Sequence, residues 1–243
     1  MIKKPIYPPR PRGKISPSDL PYYERTGEWI AQRKFNDSRT LLRVDLGREL
    51  SVWNRHGGKH VRFSLSKSLA EEIKANLNLD ANKTYWIDGG VMNKTKDGPN
   101  CLVFFDILEA GRYFFRAPDQ MKRLEILYSI CGNPTGTGDP ASDAMAGLAL
   151  KISPNLWLAE TFTDKFIDRF NEACDPEFVA QYPDWLAKVQ AFAPHLPFSQ
   201  PRKDMIEGVV LRRKDSALDS FGNVEYETDW QLRCRKPHKN YNF

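Results

Sequence analysis

The stretch of sequence that decides the fold is W-I-A-Q-R-K-F-N-D-S-R-T-L-L-R-V, residues 29–44. Its apolar and branched residues predict two strands, and Asn36 and Asp37 mark a turn between them, because both side chains tolerate turn geometry. Lys34 stands just before that turn, between the cations Arg33 and Arg39. Nearby positive charge and partial burial favour the neutral amine, the form of lysine that attacks an electrophile. Lys34 is therefore a candidate nucleophile, and a solvated surface lysine is the competing interpretation.

Outward from this stretch, strand and helix patterns alternate irregularly. Further strands are predicted at residues 50–53, 84–92, 102–108, 207–212 and 230–235, where aromatic and branched residues cluster. Helices are predicted at residues 66–77, 119–130, 155–173 and 176–192, and residues 132–139 predict a loop. Strands outnumber helices, which indicates an α+β fold rather than a doubly wound sheet.

Composition excludes several classes of protein. The chain has 243 residues, 41% hydrophobic and 12% aromatic, so a disordered or collagen-like chain is excluded. No apolar run is long enough for a membrane span, and the N-terminus has no secretory signal pattern. Four widely spaced cysteines predict reduced thiols in a cytoplasmic protein, not a zinc site or a disulfide framework. The net charge of +5 favours an anionic partner.

The N-terminal segment differs in composition from the rest. Residues 1–20 contain five Lys or Arg residues, one acid and five prolines. This composition predicts an extended basic arm that is neither helix nor strand, acting either as a solvated tail or as a binding segment. Residues 21–243 are expected to form one domain.

Two other segments carry candidate site residues. Glu207 precedes an apolar strand, where a carboxylate can hold a divalent metal or a ribose hydroxyl, and Gly208 beside it permits close backbone approach. Arg233 and Arg235 lie on one face of the last strand, which suits a phosphate clamp or a solvated edge strand. Asp106 lies within an apolar run and needs a partner if it is buried.

Taken in order, these segments resemble the covalent nucleotidyltransferase superfamily of ATP-dependent DNA ligases, RNA ligases and mRNA capping enzymes. The segment K-F-N-D-S-R (34–39) is similar to motif I, I-D-G-G-V (87–91) to motif III, and V-F-F-D-I-L (103–108) to motif IIIa. E-G-V-V-L-R (207–212) is similar to motif IV and W-Q-L-R-C-R-K-P (230–237) to motif V. The resemblance spans residues 29–236 and implies an ATP-grasp-like adenylation domain of antiparallel sheets flanked by helices, without a C-terminal OB-fold domain.

The chain departs from these motifs at three places. Asp37 stands where the family has glycine, and Gly90 stands where motif III has a glutamate that contacts the nucleotide ribose. Either Asp88 replaces that glutamate or the contact is missing. Motif V, which presents lysines to the α-phosphate in the family, has Arg233 and Arg235 here.

The resemblance implies a mechanism. Lys34 would attack the α-phosphorus of ATP and hold AMP covalently; the AMP would pass to a polynucleotide 5′-phosphate, and a 3′-hydroxyl would displace it. Mg²⁺ or Mn²⁺ held near Glu207 would activate the lysine and neutralise phosphate charge. Phe105, or its neighbour Phe104, would stack on the base. Groups near Gln32 and Arg33 would read the base edge, and Arg39 and Arg55 would contact the nucleotide or the 5′-phosphate. Asp88 would contact the ribose. The α-phosphate would be stabilised by Arg233, Arg235 and Lys236.

Alternatives remain at the level of sequence. A capping-type guanylyltransferase would use the same lysine with GTP, and an inactive nucleic-acid-binding module would use neither nucleotide. The F-F-D-I-L segment favours DNA ligases and the absent OB-fold favours RNA ligases; we expect DNA. The expected partner is a nicked DNA duplex or an RNA/DNA hybrid, bound by a cytoplasmic monomer. So compact a ligase suits a bacteriophage or virus, in which case it would work in the host cytoplasm.

Overall fold

The structure is a computed structural model that describes residues 6–61, 63–92, 100–111, 118–143, 145–172, 205–218 and 225–235. The predicted helix at residues 176–192, Cys174 and Lys236 lie outside the described residues. Within those ranges, no helix has the length and apolar character that a membrane crossing requires.

The first of two sheets contains the lysine strand. Its order is β1-β11-β10-β2-β9, with β1 parallel to β11 and every other pair antiparallel. The strands are β1 (Arg10–Lys14), β2 (Trp29–Phe35), β9 (Thr161–Phe162), β10 (Ile206–Arg213) and β11 (Glu227–Arg235).

The second sheet has six strands in the order β4-β3-β5-β6-β8-β7. They are β3 (Ser38–Val44), β4 (Leu50–Asn54), β5 (Tyr85–Met92), β6 (Cys101–Ala110), β7 (Leu150–Ser153) and β8 (Leu156–Leu158). Within this sheet, β6 and β8 run parallel and the other described pairs are antiparallel. Every residue of β5 is buried, as expected for a central strand that is covered on both faces.

The chain changes sheets at Asn36 and Asp37. The predicted break is confirmed, but β2 and β3 do not form a hairpin, because β2 pairs with β10 and β3 pairs with β5. The backbone N–H of Asn36 donates to the carbonyl of Met205 at 2.8 Å, which ties the connection to the start of β10. Lys34 therefore lies where the two sheets meet.

The helix predictions at residues 66–77 and 119–130 are confirmed. Helix α2 (Lys67–Asn76) begins at Ser66, whose hydroxyl caps the N–H of Leu69, and α3 (Gln120–Ile130) begins at Asp119, whose carboxylate caps the N–H of Lys122. Two short helices, α1 (Leu20–Arg25) and α4 (Phe166–Glu172), complete the described helices, with 3₁₀ turns at Pro17–Asp19 and Leu46–Arg48.

Two predictions are wrong. The helix predicted at residues 155–173 is β8, β9 and only then α4, because Trp157 and Leu158 pair beside β6 and are buried there. The N-terminal arm contains a strand, β1, whose edge position tolerates Pro11. Two of its cations form ion pairs within the chain, Arg10 with Glu225 at 3.2 Å and Arg12 with Asp229 at 3.0 Å.

The core has layers outside and between the sheets. One apolar cluster packs α2 and α3 against the second sheet, and another packs α1 and α4 against the first. Two further clusters contain residues from both sheets, including Phe35, Val103 and Ile206 in one and Trp86 and Trp230 in the other. The sheets therefore face each other, and a cleft opens between them.

Candidate active site

The candidate site has two connected parts at the junction of the sheets. An inner pocket is lined by Gln32, Lys34, Asp37, Arg39, Phe105 and Arg212, among others. An outer groove continues from it and is lined by Lys34, Asp37, Arg39, Arg55, Arg233 and Arg235, among others. Lys34, Asp37 and Arg39 line both parts, so they lie where the pocket opens into the groove.

Lys34 is held by a carboxylate that also holds an arginine. The Lys34 Nζ donates to Glu207 Oε2 at 2.5 Å, and Arg235 Nη2 lies 2.9 Å from Glu207 Oε1. The Lys34 side chain is 24% exposed and that of Glu207 is 16% exposed, so the pair is accessible yet shielded. The structure thus brings together three predicted site residues from three strands, with Lys34 and Glu207 separated by 173 positions in the sequence.

A β-bulge aims Glu207 at Lys34. Gly208 pairs with Lys34 and Ile206 with Phe35, so Glu207 is the extra residue between them. Bulges redirect a side chain in this way. Gly208 has φ +138°, and a Cβ there would lie 2.1 Å from the carbonyl oxygen of Cys234. The close backbone approach that the sequence suggested at Gly208 is confirmed.

Phe105 is the aromatic residue of the inner pocket. Its ring lies 5.7 Å from the guanidinium carbons of both Arg39 and Arg212. Phe104 is 1% exposed and belongs to the core behind the sheet. Of the two neighbours, only Phe105 can offer its face to a planar ligand.

Gln32 is buried in the pocket wall with one oxygen unused. Its Nε2 donates to the carbonyl of Phe105 and to Thr161 Oγ1, each at 3.2 Å. Its Oε1 is buried and has no hydrogen-bond partner in the described part of the chain. The hydrogen bond to the Phe105 carbonyl sets the amide orientation, so the acceptor without a partner belongs to a residue that lines the pocket.

Arg33 lines the pocket but its guanidinium is used elsewhere. Arg33 Nη1 donates to the carbonyl of Leu148 at 3.2 Å and to Glu160 Oε2 at 2.9 Å. Its guanidinium carbon also lies 4.8 Å from the Phe162 ring centroid. Its guanidinium group is therefore engaged by Leu148, Glu160 and Phe162.

Asp88 is fully buried and lies outside the pocket lining. Both of its oxygens accept hydrogen bonds from Arg39, one of them at 2.9 Å from Nε, while Arg39 Nη1 donates to the carbonyl of Pro9 at 3.0 Å. Burial raises the pKa of Asp88, against the pull of Arg39. The structure gives Asp88 the task of orienting Arg39 and does not bring it to a ligand.

The outer groove is strongly basic. Arg55 and Arg233 lie in it with Lys34, Arg39, Arg235 and Arg10, and Asp37 is the one acid among its described lining residues. Arg233 Nε is buried without a hydrogen-bond partner within the described ranges. Such a surface attracts anions, and a planar guanidinium suits phosphate oxygens.

Sequence reasoning did not assign Asp37 and Arg212 to the site. Asp37 was visible as a departure from motif I, and Arg212 ends the segment similar to motif IV. Burial raises the pKa of Asp37 from 3.8 to about 6, although Lys34 and Arg39 lower it. Its Oδ2 is buried without a hydrogen-bond partner in the described residues.

The donors present fit a magnesium ion only in one binding mode. The described ranges contain no group of three or more His, Cys, Asp or Glu residues that could cage a metal. Glu207 offers one carboxylate, with both oxygens ion-paired. A single carboxylate fits Mg²⁺ when phosphate oxygens and water complete the octahedron.

The fold is similar to the fold of solved DNA ligase domains. The chain is similar to mycobacterial DNA ligase D complexed with ATP and MES, with a TM-score of 0.52 and 14% identity over 97% of this chain and 62% of that one. It is also similar to the ligase domain of LigD from M. tuberculosis, with a TM-score of 0.50 and 13% identity over 96% and 60%.

The chain thus spans about three fifths of the length of these structures. No protein-family model and no curated protein matches the chain. At 13–14% identity the likeness establishes the fold, and it confirms the predicted α+β nucleotidyltransferase architecture.

Proposed function

We propose that the chain is an ATP-dependent polynucleotide ligase that works through AMP bound covalently to Lys34, acting on DNA in preference to RNA. The observation that carries the proposal is the contact of Lys34 Nζ with Glu207 Oε2 at 2.5 Å, with Arg235 on the other oxygen. A nucleophile, a proton acceptor and a phosphate-binding cation meet there at the mouth of a pocket that fits a base.

The inner pocket suits adenine. Phe105 offers an aromatic face, and Gln32 Oε1 is an acceptor that can receive the amino group of the base. The mycobacterial ligase D structure, similar in fold, is complexed with ATP. Base binding in the pocket directs the phosphates toward the cations of the outer groove.

The first step joins Lys34 to the nucleotide. The Lys34 ammonium passes one proton by way of Glu207 to solvent, and its neutral amine attacks the α-phosphorus. A nitrogen–phosphorus bond forms, the bond to pyrophosphate breaks with its electron pair leaving on pyrophosphate, and the second amine proton leaves to pyrophosphate or solvent. Arg233 and Arg235 stabilise the charge on the α-phosphate. Glu207 would hold Mg²⁺, which would supply further neutralisation of phosphate charge.

The later steps use the outer groove. A polynucleotide 5′-phosphate attacks the phosphorus of the AMP group and releases Lys34, and the 3′-hydroxyl of the adjoining end then displaces AMP. Arg55 and Arg233 line the groove and are available to the phosphate backbone of a nicked duplex. Such contacts weaken as salt concentration rises.

The central prediction concerns Lys34. We expect Lys34→Ala and Lys34→Arg to form no detectable adduct with α-labelled ATP, because an arginine keeps the charge beside Glu207 but is not a nucleophile. Lys83→Ala, which removes a lysine that is 54% exposed in a surface ion pair, is the matched control and should label normally. An adduct on Lys34→Ala would contradict the mechanism.

The same labelling decides between functions. Adduct formation with GTP and not ATP would favour a capping-type guanylyltransferase. Absence of an adduct with either nucleotide, together with salt-sensitive binding of a nicked duplex, would favour an inactive binding module. Sealing of nicked duplexes with DNA or RNA on each strand measures the expected preference for DNA.

A further inference from the structure

The side chain of Asp37 fills the space above Gly90. A Cβ built on Gly90 would lie 1.6 Å from Asp37 Oδ2, 2.3 Å from its Cγ and 2.5 Å from its Cβ. The two residues are brought together by strand pairing, since Arg39 of β3 is the partner of Gly90 in β5. Positions 37 and 90 therefore share one volume, and only one of them can carry a side chain there.

Asp37 lines the ligand cleft and has one oxygen without a hydrogen-bond partner among the described residues. It lines both the inner pocket and the outer groove, and it is the one carboxylate among the described lining residues of either. Its Oδ2 is buried with no hydrogen-bond partner in the described residues. A buried acceptor left unpaired costs free energy, so its retention indicates a donor that arrives with a ligand.

The position of Asp37 indicates which part of a nucleotide its carboxylate would contact. Phosphates are anionic and are repelled by a carboxylate, whereas sugar hydroxyls are donors. In a nucleotide the sugar joins the base to the phosphates, as Asp37 joins the pocket that holds Phe105 to the groove that holds Arg233. Resting on the proposed function, we propose that Asp37 accepts a hydrogen bond from a ribose hydroxyl of the bound nucleotide, and that glycine at position 90 makes room for it.

This assignment explains both departures from the motifs together. The chain has an acid at position 37 and a glycine at position 90, where the family pattern has a glycine and an acid. Asp37 lies in the connection between β2 and β3, and its carboxylate fills the space that a side chain at position 90 of β5 would occupy. Asp88, engaged with Arg39, is not needed for the contact.

The first measurement is equilibrium binding of ATP, 2′-deoxy-ATP and 3′-deoxy-ATP by calorimetry. The unaltered chain is expected to bind at least one deoxynucleotide about tenfold more weakly than ATP, since a hydrogen bond to a charged group is lost. In Asp37→Ala this preference should fall to about twofold or less. The ratio of affinities is the readout, because removing a carboxylate also changes the attraction for phosphates. Equal binding of all three by the unaltered chain, or a preference unchanged in Asp37→Ala, overturns the proposal.

The second measurement exchanges the two positions. Gly90→Glu alone should unfold at a lower temperature and lose the ribose preference, because its side chain meets Asp37. Asp37→Gly combined with Gly90→Glu should recover both. A double variant that is no better than Gly90→Glu, in stability and in ribose preference, contradicts the shared volume and overturns the proposal.

Adduct formation separates this inference from the proposed function. If the unaltered chain discriminates between ATP and a deoxynucleotide in binding but forms no adduct, the ligase mechanism fails and the role of Asp37 stands. If it forms the adduct but binds ATP and both deoxynucleotides equally, the role of Asp37 fails and the mechanism stands.

Discussion

At the residue scale, the site keeps an acid where the fold disfavours its charge. Burial raises the pKa of the Asp37 carboxyl from 3.8 to about 6, even with Lys34 and Arg39 beside it. A folded state that binds the proton more tightly than the unfolded chain loses stability as pH rises from about 4 to about 6. The charged form at neutral pH therefore lowers the stability of the unliganded fold, and Lys34 and Arg39 offset only part of that cost.

We expect Asp37→Asn to stabilise the unliganded protein in a pH-dependent way. At pH 7.5 the free energy of unfolding should rise by about 1–2 kcal/mol, allowing for partial solvent access, and near pH 4 the gain should vanish. Urea denaturation at several pH values measures the effect. A gain of equal size at pH 4 and pH 7.5 would show that charge at Asp37 is not its cause.

At the scale of elements, strand β10 aims the candidate proton acceptor. The bulge at Glu207 turns its carboxylate toward Lys34, and Gly208 permits it with a φ of +138°. The contact with Lys34 crosses from β10 to β2, and the contact with Arg235 crosses to β11. Three neighbouring strands thus hold one cluster of charges.

We expect Gly208→Ala to lower the free energy of unfolding by about 2 kcal/mol or more. The added Cβ would collide with the carbonyl oxygen of Cys234, and the alanine backbone would have to keep an unfavourable positive φ. Gly132→Ala is the control: it also has a positive φ, +78°, but nothing lies within 4 Å of the added Cβ. Thermal unfolding of both variants separates strain from collision. Equal losses of stability in the two variants would show that the collision with the Cys234 carbonyl does not contribute.

At the scale of the whole molecule, one buried ion network joins the two sheets. Asp106 of β6 accepts from Arg212 of β10 at 2.8 Å and from Arg123 of α3 at 3.1 Å, and all three are buried. Burial alone would raise the pKa of Asp106, but Arg123 and Arg212 hold it below its ordinary value. The same Arg212 lines the inner pocket, so the network also fixes the pocket wall.

We expect Asp106→Ala to lower the free energy of unfolding by about 3–5 kcal/mol, because two buried guanidinium groups lose their shared carboxylate. Asp229→Ala, which removes a carboxylate that is 77% exposed from its ion pair with Arg12, should change stability little. Chemical denaturation of both variants tests the contrast. Similar losses of unfolding free energy in the two variants would mean that the buried network stabilises the fold no more than a surface ion pair does.

Much of the fold could be predicted from local pattern. The capping residues Ser66 and Asp119 begin α2 and α3 as expected, and the strands near residues 84–92 and 207–212 lie within two residues of their predicted bounds. Of the predicted site residues, Lys34, Arg235 and Phe105 line the cleft, and Glu207 contacts Lys34 and Arg235. These features depend on neighbours in sequence, on caps, periodicity and short motifs.

The sequence by itself therefore determined the α+β class, the main helices and strands, and which residues are candidates for the chemistry. Only the tertiary structure decided that β2 and β3 join different sheets, that Arg10–Lys14 pairs with β11, and that residues 156–158 form a strand. It also decided that Asp37 occupies the space of residue 90. The physical reason is that strand partners and shared volumes depend on residues far apart in the chain, whose contacts no local pattern contains.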